Sequence, residues 1–380
     1  MHLHLHIHRI HFLRKELSEV YLNLSLQSFA ISLIAVFIPI YLLSLGYSLD
    51  YVIIYFIVYY GCLGLFAPLS ALLANRFGLK HMIILRTPFL IIFLLGLHNI
   101  TTLTISPLII SALGGFGSSL YWVSINSMFA RHSDKLHRGT QSGNYISLPQ
   151  IASLIGPTIG GFITLLYGFP ALFLTAIAFI ILSMLPLFMT PETKPHINYS
   201  FRKMINNKNY IKYATYFILT GPRFIAGAIF WPLFIYWGLS GSATGTGFSQ
   251  TLTGVGVLAF TYYTARKSDK KGKTSLIKKG ALLLALLWFA RIYATSASEF
   301  YIYSFLAGLF TVLIDVPFTA ASFDTANREN PDEFIVVREI SIALGRVLTL
   351  GAILMFSGLF MRIIFSFTFA GTATLAFLLF

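Results

Sequence analysis

Residues 51–80 read YVIIYFIVYYGCLGLFAPLSALLANRFGLK. No charge interrupts residues 51–74; then Asn75, Arg76, Phe77, Gly78, Leu79 and Lys80 end the run with a turn residue and two cations. A membrane-spanning helix needs about 20 mostly apolar residues. A strand of a membrane barrel is about half as long and alternates with period two. This stretch is too long and too evenly apolar for a strand. Gly61, Gly64 and Pro68 lie inside it, and membrane helices tolerate both residue types. It reads as one membrane helix closed by a basic loop.

The same pattern recurs from end to end. Twelve apolar runs cover residues 20–44, 51–74, 79–98, 103–129, 140–166, 170–190, 213–238, 244–264, 275–295, 300–324, 334–356 and 359–379. Of the 380 residues, 56% are hydrophobic and 11% charged, against about 45–50% and about 25% in soluble domains. A soluble fold of this length has too little interior for that much apolar surface. The composition excludes a soluble enzyme, a secreted domain and a disordered chain. The first run is longer than the apolar core of a signal peptide, and no small-residue cleavage pattern follows it. The expected fold class is an all-α polytopic membrane protein with twelve transmembrane helices. Cys62 stands alone, so neither an intramolecular disulfide nor a cysteine metal site is expected.

The formal net charge of +14 first suggests a polyanionic partner such as nucleic acid, but the placement of the cations gives it another meaning. Arg9, Arg14 and Lys15 precede the first run. Arg76 and Lys80 follow the second, and Arg131, Lys135 and Arg138 the fourth. Lys194, Arg202, Lys203, Lys208 and Lys212 occupy the connection after the sixth. Arg266, Lys267, Lys270, Lys271, Lys273, Lys278 and Lys279 cluster after the eighth, and Arg328 follows the tenth. These are 21 of the 27 Lys and Arg, and the alternate connections at 45–50, 99–102, 167–169, 239–243, 296–299 and 357–358 hold none. Cytoplasmic loops are enriched in Lys and Arg. Both termini are therefore expected in the cytoplasm, the protein in the plasma membrane, and no nucleic-acid partner.

An internal repeat suggests the architecture. A shift of 194 residues lays Asn75–Lys80 on Asp269–Thr274 and Ile146-Ser147 on Ile340-Ser341. The expected division is a cytoplasmic tail at 1–19, a six-helix bundle at 20–190, a cytoplasmic central loop at 191–212 and a second six-helix bundle at 213–380. Two parallel six-helix halves are the architecture of many secondary transporters, with the substrate site between the halves near the bilayer midplane.

With these features the chain resembles the major facilitator superfamily over its whole length. Ala71, Asn75-Arg76, Gly78 and Lys80 are similar to that family's first signature, a glycine followed by an Asp-Arg pair, Gly and basic residues; Asn75 stands for the Asp and Leu79 for a basic residue. The resemblance implies a cytoplasmic gate formed by Asn75, Arg76, Gly78 and Lys80, with Asp269 retained in the second half. Gly143, Ala152, Gly156-Pro157 and Gly160-Gly161 are similar to the helix-five motif of drug/proton antiporters in the superfamily, with Ala152 replacing one glycine. That likeness implies export. The alternative is close packing through small residues, with Pro157 bending the helix. The family's helix-four Arg is missing from Ser111–Gly117.

A charge at bilayer depth costs about 2.5–3.5 kcal/mol on insertion scales and points to function. Arg223 lies roughly 15 Å into helix seven, next to Gly221-Pro222, which invite a local break. Asp315 in helix ten and Arg346 in helix eleven lie at similar depth, and a pair between them is expected. Glu339, seven residues before Arg346, shares its helix face. Asp315, Glu339 and Arg346 are the expected coupling network: a carboxyl in a dry cavity holds its proton, and a nearby Arg releases it. The alternative is a static ion pair between helices. Arg223 can bind an anionic substrate or pair with a carboxylate. Arg291 lies deeper than Lys278 and Lys279 but can snorkel outward.

No acid is expected inside the helices of the first half. Asn23, Gln27, Asn126, Asn144 and Gln150 are its polar cavity candidates, and Tyr121 and Trp122 its aromatic ones; bonding between helices is the alternative for the amides. Alternate His residues in Met1–His11 could bind a metal, although a frayed tail explains them as well, and no metal site is assigned. Phe201–Lys212 mixes apolar and basic residues as a helix on the membrane surface does. No GxSxG, HExxH or Walker A pattern occurs, so no enzyme and no cofactor are expected. The expected function is a monomeric secondary transporter that exports small hydrophobic compounds against protons. Transport of an anionic metabolite is the alternative, and a lipid flippase or a membrane-embedded enzyme is a more distant one.

Overall fold

Residues 15–102, 105–133, 138–192, 194, 206–271 and 273–380 are described by a computed structural model. The His-rich segment and residues 201–205 lie outside these residues, and the stretch from Lys208 belongs to a membrane helix. An apolar segment in lipid must satisfy its own backbone, which a helix does within one segment. Among the described residues the twelve apolar runs accordingly fall on twelve helical stretches, with no strand.

In the first half, α1 comprises Lys15–Ile34 and Phe37–Ser44, and α2 comprises Leu49–Leu65 and Ala67–Phe77. Leu79–His98 is α3 and Pro107–His132 is α4. Arg138–Ser153 begins α5, which continues into Gly156–Leu182; that stretch breaks at Gly168 (φ 78°), and its second part is α6. In the second half, α7 comprises Lys208–Ile225, a π turn at Ala226–Phe230 and Trp231–Gly238. Then follow α8 (Ala243–Lys271), α9 (Lys273–Arg291), α10 (Ala297–Arg328), α11 (Pro331–Leu354) and α12 (Leu359–Leu375). The starts of α2 and α8, Leu49 and Ala243, are as far apart as those of α3 and α9, Leu79 and Lys273. Among the described residues, seven helices can cross a membrane by length and hydropathy alone, or eight if bent α2 is one span. The stretches that fall short are polar: α8 is rich in Gly, Ser and Thr, α9 carries lysines, and α11 carries acids and arginines.

The breaks have local causes. Pro39, Pro68 and Pro157 each sit in the first turn after an interruption. A proline lacks the N–H for the carbonyl four residues back, and its ring crowds that carbonyl. The bend in α2 reaches 46°. In α7 the break expected at Gly221-Pro222 lies elsewhere: the helix runs through Pro222 and widens one turn later, at Ala226–Phe230. Pro222 leaves the Ile218 carbonyl without its helical donor. That carbonyl faces α11, where a Cβ on Gly345 would lie 2.2 Å from it. Backbone contact with α11 thus supports the helix at the point where the proline weakens it.

The halves meet along α2 with α11 and α5 with α8. A Cβ on Gly64 would lie 2.6 Å from Ala343 Cβ, one on Gly161 2.9 Å from the Ala243 carbonyl, and one on Gly247 2.2 Å from the Pro157 carbonyl. The helix-five residues Gly156 and Gly160 press on Ser32 and Leu33 of α1 in the same way, whereas Gly143 has only Ala265 Cβ at 4.0 Å. In this structure the expected motif on α5 is a packing surface toward α1 and α8.

Candidate functional site

Two cavities of about 540 and about 570 Å3 lie in the molecule. The first is enclosed mainly by α7, α10 and α11, and its wall holds Arg223, Asp315, Thr311, Thr319 and Arg338. The second lies between the halves and is walled by aliphatic and aromatic side chains, including Tyr55, Phe56, Tyr60, Phe93 and Trp122, with Gln150 and Gln250. Phe224, Ala228 and Arg346 line both. The π turn contributes Ala228.

The ion pairing differs from the expected Asp315–Arg346 contact. Asp315 Oδ1 instead accepts from Arg223 Nη2 at 2.5 Å, and the Arg223 guanidinium lies 5.7 Å from the Phe377 ring centre. Helices α7 and α10 therefore carry the pair. The sequence alone gave no reason to choose between the two arginines, because both lie at the depth of Asp315. Arg346 is left without a carboxylate among the described residues. Its guanidinium carbon sits 3.6 Å from the Phe224 ring centre and 4.9 Å from that of Tyr60 in the other half. Such stacking offsets part of the cost of a desolvated cation and leaves the guanidinium edge free for an anion. Arg346 Nε is buried without a hydrogen-bond partner.

Glu339 is buried and faces the first half rather than a cavity. It pairs with Arg338 and accepts from Asn126 Nδ2 of α4 at 3.2 Å; Tyr145 of α5 donates to Asn126 Oδ1 at 2.8 Å. Nearer the end of the bundle that carries the basic loops, Arg131 of α4 pairs with Asp332 of α11, with Nε–Oδ1 at 3.1 Å. Phe323 of α10 packs against the contacting rings of Phe129 and Tyr145, at 5.0 and 6.1 Å between ring centres. At the opposite end Arg362 of α12 pairs with Asp50 of α2. The halves are thus latched at both ends.

The stretch expected to form the gate does something else. Lys80 Nζ reaches Glu19 Oε2 of α1 at 2.5 Å and the Thr190 carbonyl at 2.8 Å. Glu192 accepts from the backbone N–H of Lys80 and His81, at 3.1 and 2.9 Å, and so caps α3. Gly78 adopts φ 102°, and a Cβ there would strike the Glu192 side chain at 2.3 Å. These contacts tie α1, α3 and the segment after α6 within the first half. Glu192 supplies a carboxylate where Asn75 lacks one. Arg76 is exposed beside Phe77, and the side chain of Asp269 is outside the described residues.

Among the polar candidates of the first half, Gln150 and Trp122 line the second cavity. The others line neither of the two. Asn23 donates to the Ser183 carbonyl at 2.7 Å and accepts from Tyr121 Oη at 3.1 Å; Gln27 accepts from Ser183 Oγ at 3.4 Å. These bonds join α1, α4 and α6. Asn144 is half-buried on α5.

Several charges were not foreseen. Glu19 is a fully buried acid within α1, just before the first apolar run, so the first half does hold an acid inside a helix. Arg86 is buried in α3, 4.4 Å from the Tyr121 ring centre; the depth argument that found Arg223 applies to it equally. Arg338 carries the same signal in α11. Arg291 is buried rather than snorkelled, held between Trp231 and Trp288 at 4.1 and 4.4 Å and bonded to the Tyr303 carbonyl. The latches Arg131–Asp332 and Asp50–Arg362 join residues far apart in the chain and had no local signal.

The arrangement of two six-helix halves around a midline cavity with isolated charges is that of a secondary transporter. The sequence model of the Major Facilitator Superfamily matches residues 20–238, and the chain belongs to this family. The human organic anion transporter MFSD10 (TETRAN) has a similar structure, with a TM-score of 0.68 at 13% identity, covering 96% of this chain and 98% of that one. At that identity the likeness concerns the fold. Curated protein sequences gave no match.

Proposed function

We propose that the protein is a secondary active transporter that moves an organic anion by alternating access, with Arg346 holding the anion. The observation that carries this reading is Arg346 itself: a cation on the wall of both cavities, stacked on Phe224 and Tyr60, with no carboxylate partner among the described residues. A bound carboxylate or sulfonate completes the charge balance, and the aromatic walls accept an apolar body. The fold's likeness to an organic anion transporter is in keeping with this.

Proton coupling at Asp315 is the second part of the proposal. Its side chain is 38% exposed, on the wall of the first cavity, beside Arg223. Exchange requires that the proton on Asp315 and the anion at Arg346 be carried in turn, one on each half of the cycle. We assign outward movement of the anion against inward protons, on the α5 resemblance, with both termini cytoplasmic on the distribution of Lys and Arg. The test is reconstitution in liposomes with imposed pH gradients and a panel of anionic, neutral and cationic aromatic compounds. Arg346→Gln should abolish anion uptake; unaltered anion uptake by that variant refutes the reading.

A further inference from the structure

The two cavities differ in chemistry, and Arg346 stands where they meet. The first has a polar ladder. Thr311, Asp315 and Thr319 are spaced four apart on α10, so they share one helix face, and all three line that cavity. The Thr311 and Thr319 hydroxyls have no hydrogen-bond partner among the described residues, unlike Thr220 and Thr253 on the same wall, which donate to carbonyls of their own helices. A hydroxyl that can both donate and accept, held on a cavity wall with its capacity unused, is suited to a polyhydroxylated ligand. The second cavity offers aromatic and aliphatic walls, suited to a hydrocarbon body.

We infer that the substrate is an amphipathic acid that carries its charge on a hydroxyl-rich head joined to an apolar body, as in an aryl glucuronide. This rests on the anion reading of Arg346 above. The carboxylate meets Arg346, the aryl group enters the cavity between the halves, and the sugar hydroxyls meet Thr311 and Thr319. Each added neutral hydrogen bond is worth about 1 kcal/mol, or roughly fivefold in affinity, so two separate a hydroxylated acid from a plain one by roughly 25-fold.

The test uses the full chain, purified in detergent, and three probes: 1-naphthyl glucuronide, 1-naphthyl glucoside and 1-naphthylacetate. Dissociation constants are measured by calorimetry. The glucuronide should bind at least tenfold more tightly than the acid without the sugar and than the sugar without the acid. Thr311→Val and Thr319→Val keep side-chain shape, and each should narrow the glucuronide-to-naphthylacetate ratio roughly fivefold. Arg346→Gln separates the two ideas. If it weakens both acids while the glucuronide has no advantage, the anion site stands and the head-group inference falls. If it weakens neither acid, the anion site falls and takes the inference with it. No binding of the glucuronide, or a ratio unmoved by both threonine variants, also overturns the inference.

Discussion

Asp315→Asn separates the coupling role of this residue from its structural one. Asp315 and Arg223 are 38% and 11% exposed in their side chains. The carboxylate is open enough that its Coulomb attraction is screened and must be discounted. Asn retains an oxygen that can accept from Arg223 Nη2 in the same place. The loss is therefore the difference between a charged and a neutral acceptor, about 1 kcal/mol, and the variant should fold and insert. Its effect on energy coupling is of another size. A gradient of two pH units stores about 2.7 kcal/mol per proton, a hundredfold accumulation, and an amide cannot carry that proton. The assay is uptake into proteoliposomes with the membrane potential clamped, because each charge moved contributes about 2.3 kcal/mol per 100 mV. Gradient-driven accumulation should fall to unity, while exchange of labelled for unlabelled substrate at equal pH persists. Wild-type accumulation by the variant would refute the assignment of Asp315; loss of exchange as well would show that the pair holds the site together instead.

Other predictions follow from the same contacts. Arg346→Lys keeps the charge but gives up the planar stack on Phe224, so anion affinity should fall by roughly fivefold to tenfold in binding assays, less than for Arg346→Gln. Asp332→Asn combined with Glu339→Gln loosens the latch at the basic end; alkylation of a cysteine placed at Ser322, in a Cys62→Ser background, should speed up by at least tenfold when the reagent enters from that end. Gly78→Ala forces a Cβ against Glu192 at φ 102° and should lower stability by about 1–3 kcal/mol, seen as a lower thermal midpoint in detergent.

The fold class was legible because lipid imposes a simple rule: long uncharged runs, each closed by a polar connection. The bend at Pro157 in α5 was legible for an equally local reason; the breaks at Pro39 and Pro68 have the same cause but were not read from the sequence. The depth of Arg223, Asp315 and Arg346 was legible too, since helical rise converts sequence position into height. Their pairing was not. Height does not say which way a side chain points around the helix axis, and α7 turned out to face α10 at Asp315. The signature loop at 75–80 was read as a cytoplasmic gate from its family resemblance; its partners, Glu19, Thr190 and Glu192, are too far along the chain to be linked to it by any pattern. Asn23 and Gln27, four residues apart, share a helix face, but that face looks toward α4 and α6 rather than a cavity.

The close approach of α7 and α11 has an electrical consequence. A Cβ on Gly221 would lie 2.3 Å from the Gly345 backbone, so the two helices touch main chain to main chain and cannot slide without breaking that fit. Arg223 and Arg346 ride on these helices, and Asp315 is bound to Arg223. To the lining of the second cavity the first half brings aromatic rings, aliphatic groups, the Ser32 hydroxyl and the Gln150 amide, and no charge. If the halves rock, Arg223, Arg346 and Asp315 travel with the second half and buried Arg86 of α3 with the first, and a bound anion cancels part of the charge on the second half. The voltage dependence of the empty carrier should therefore differ from that of the loaded one.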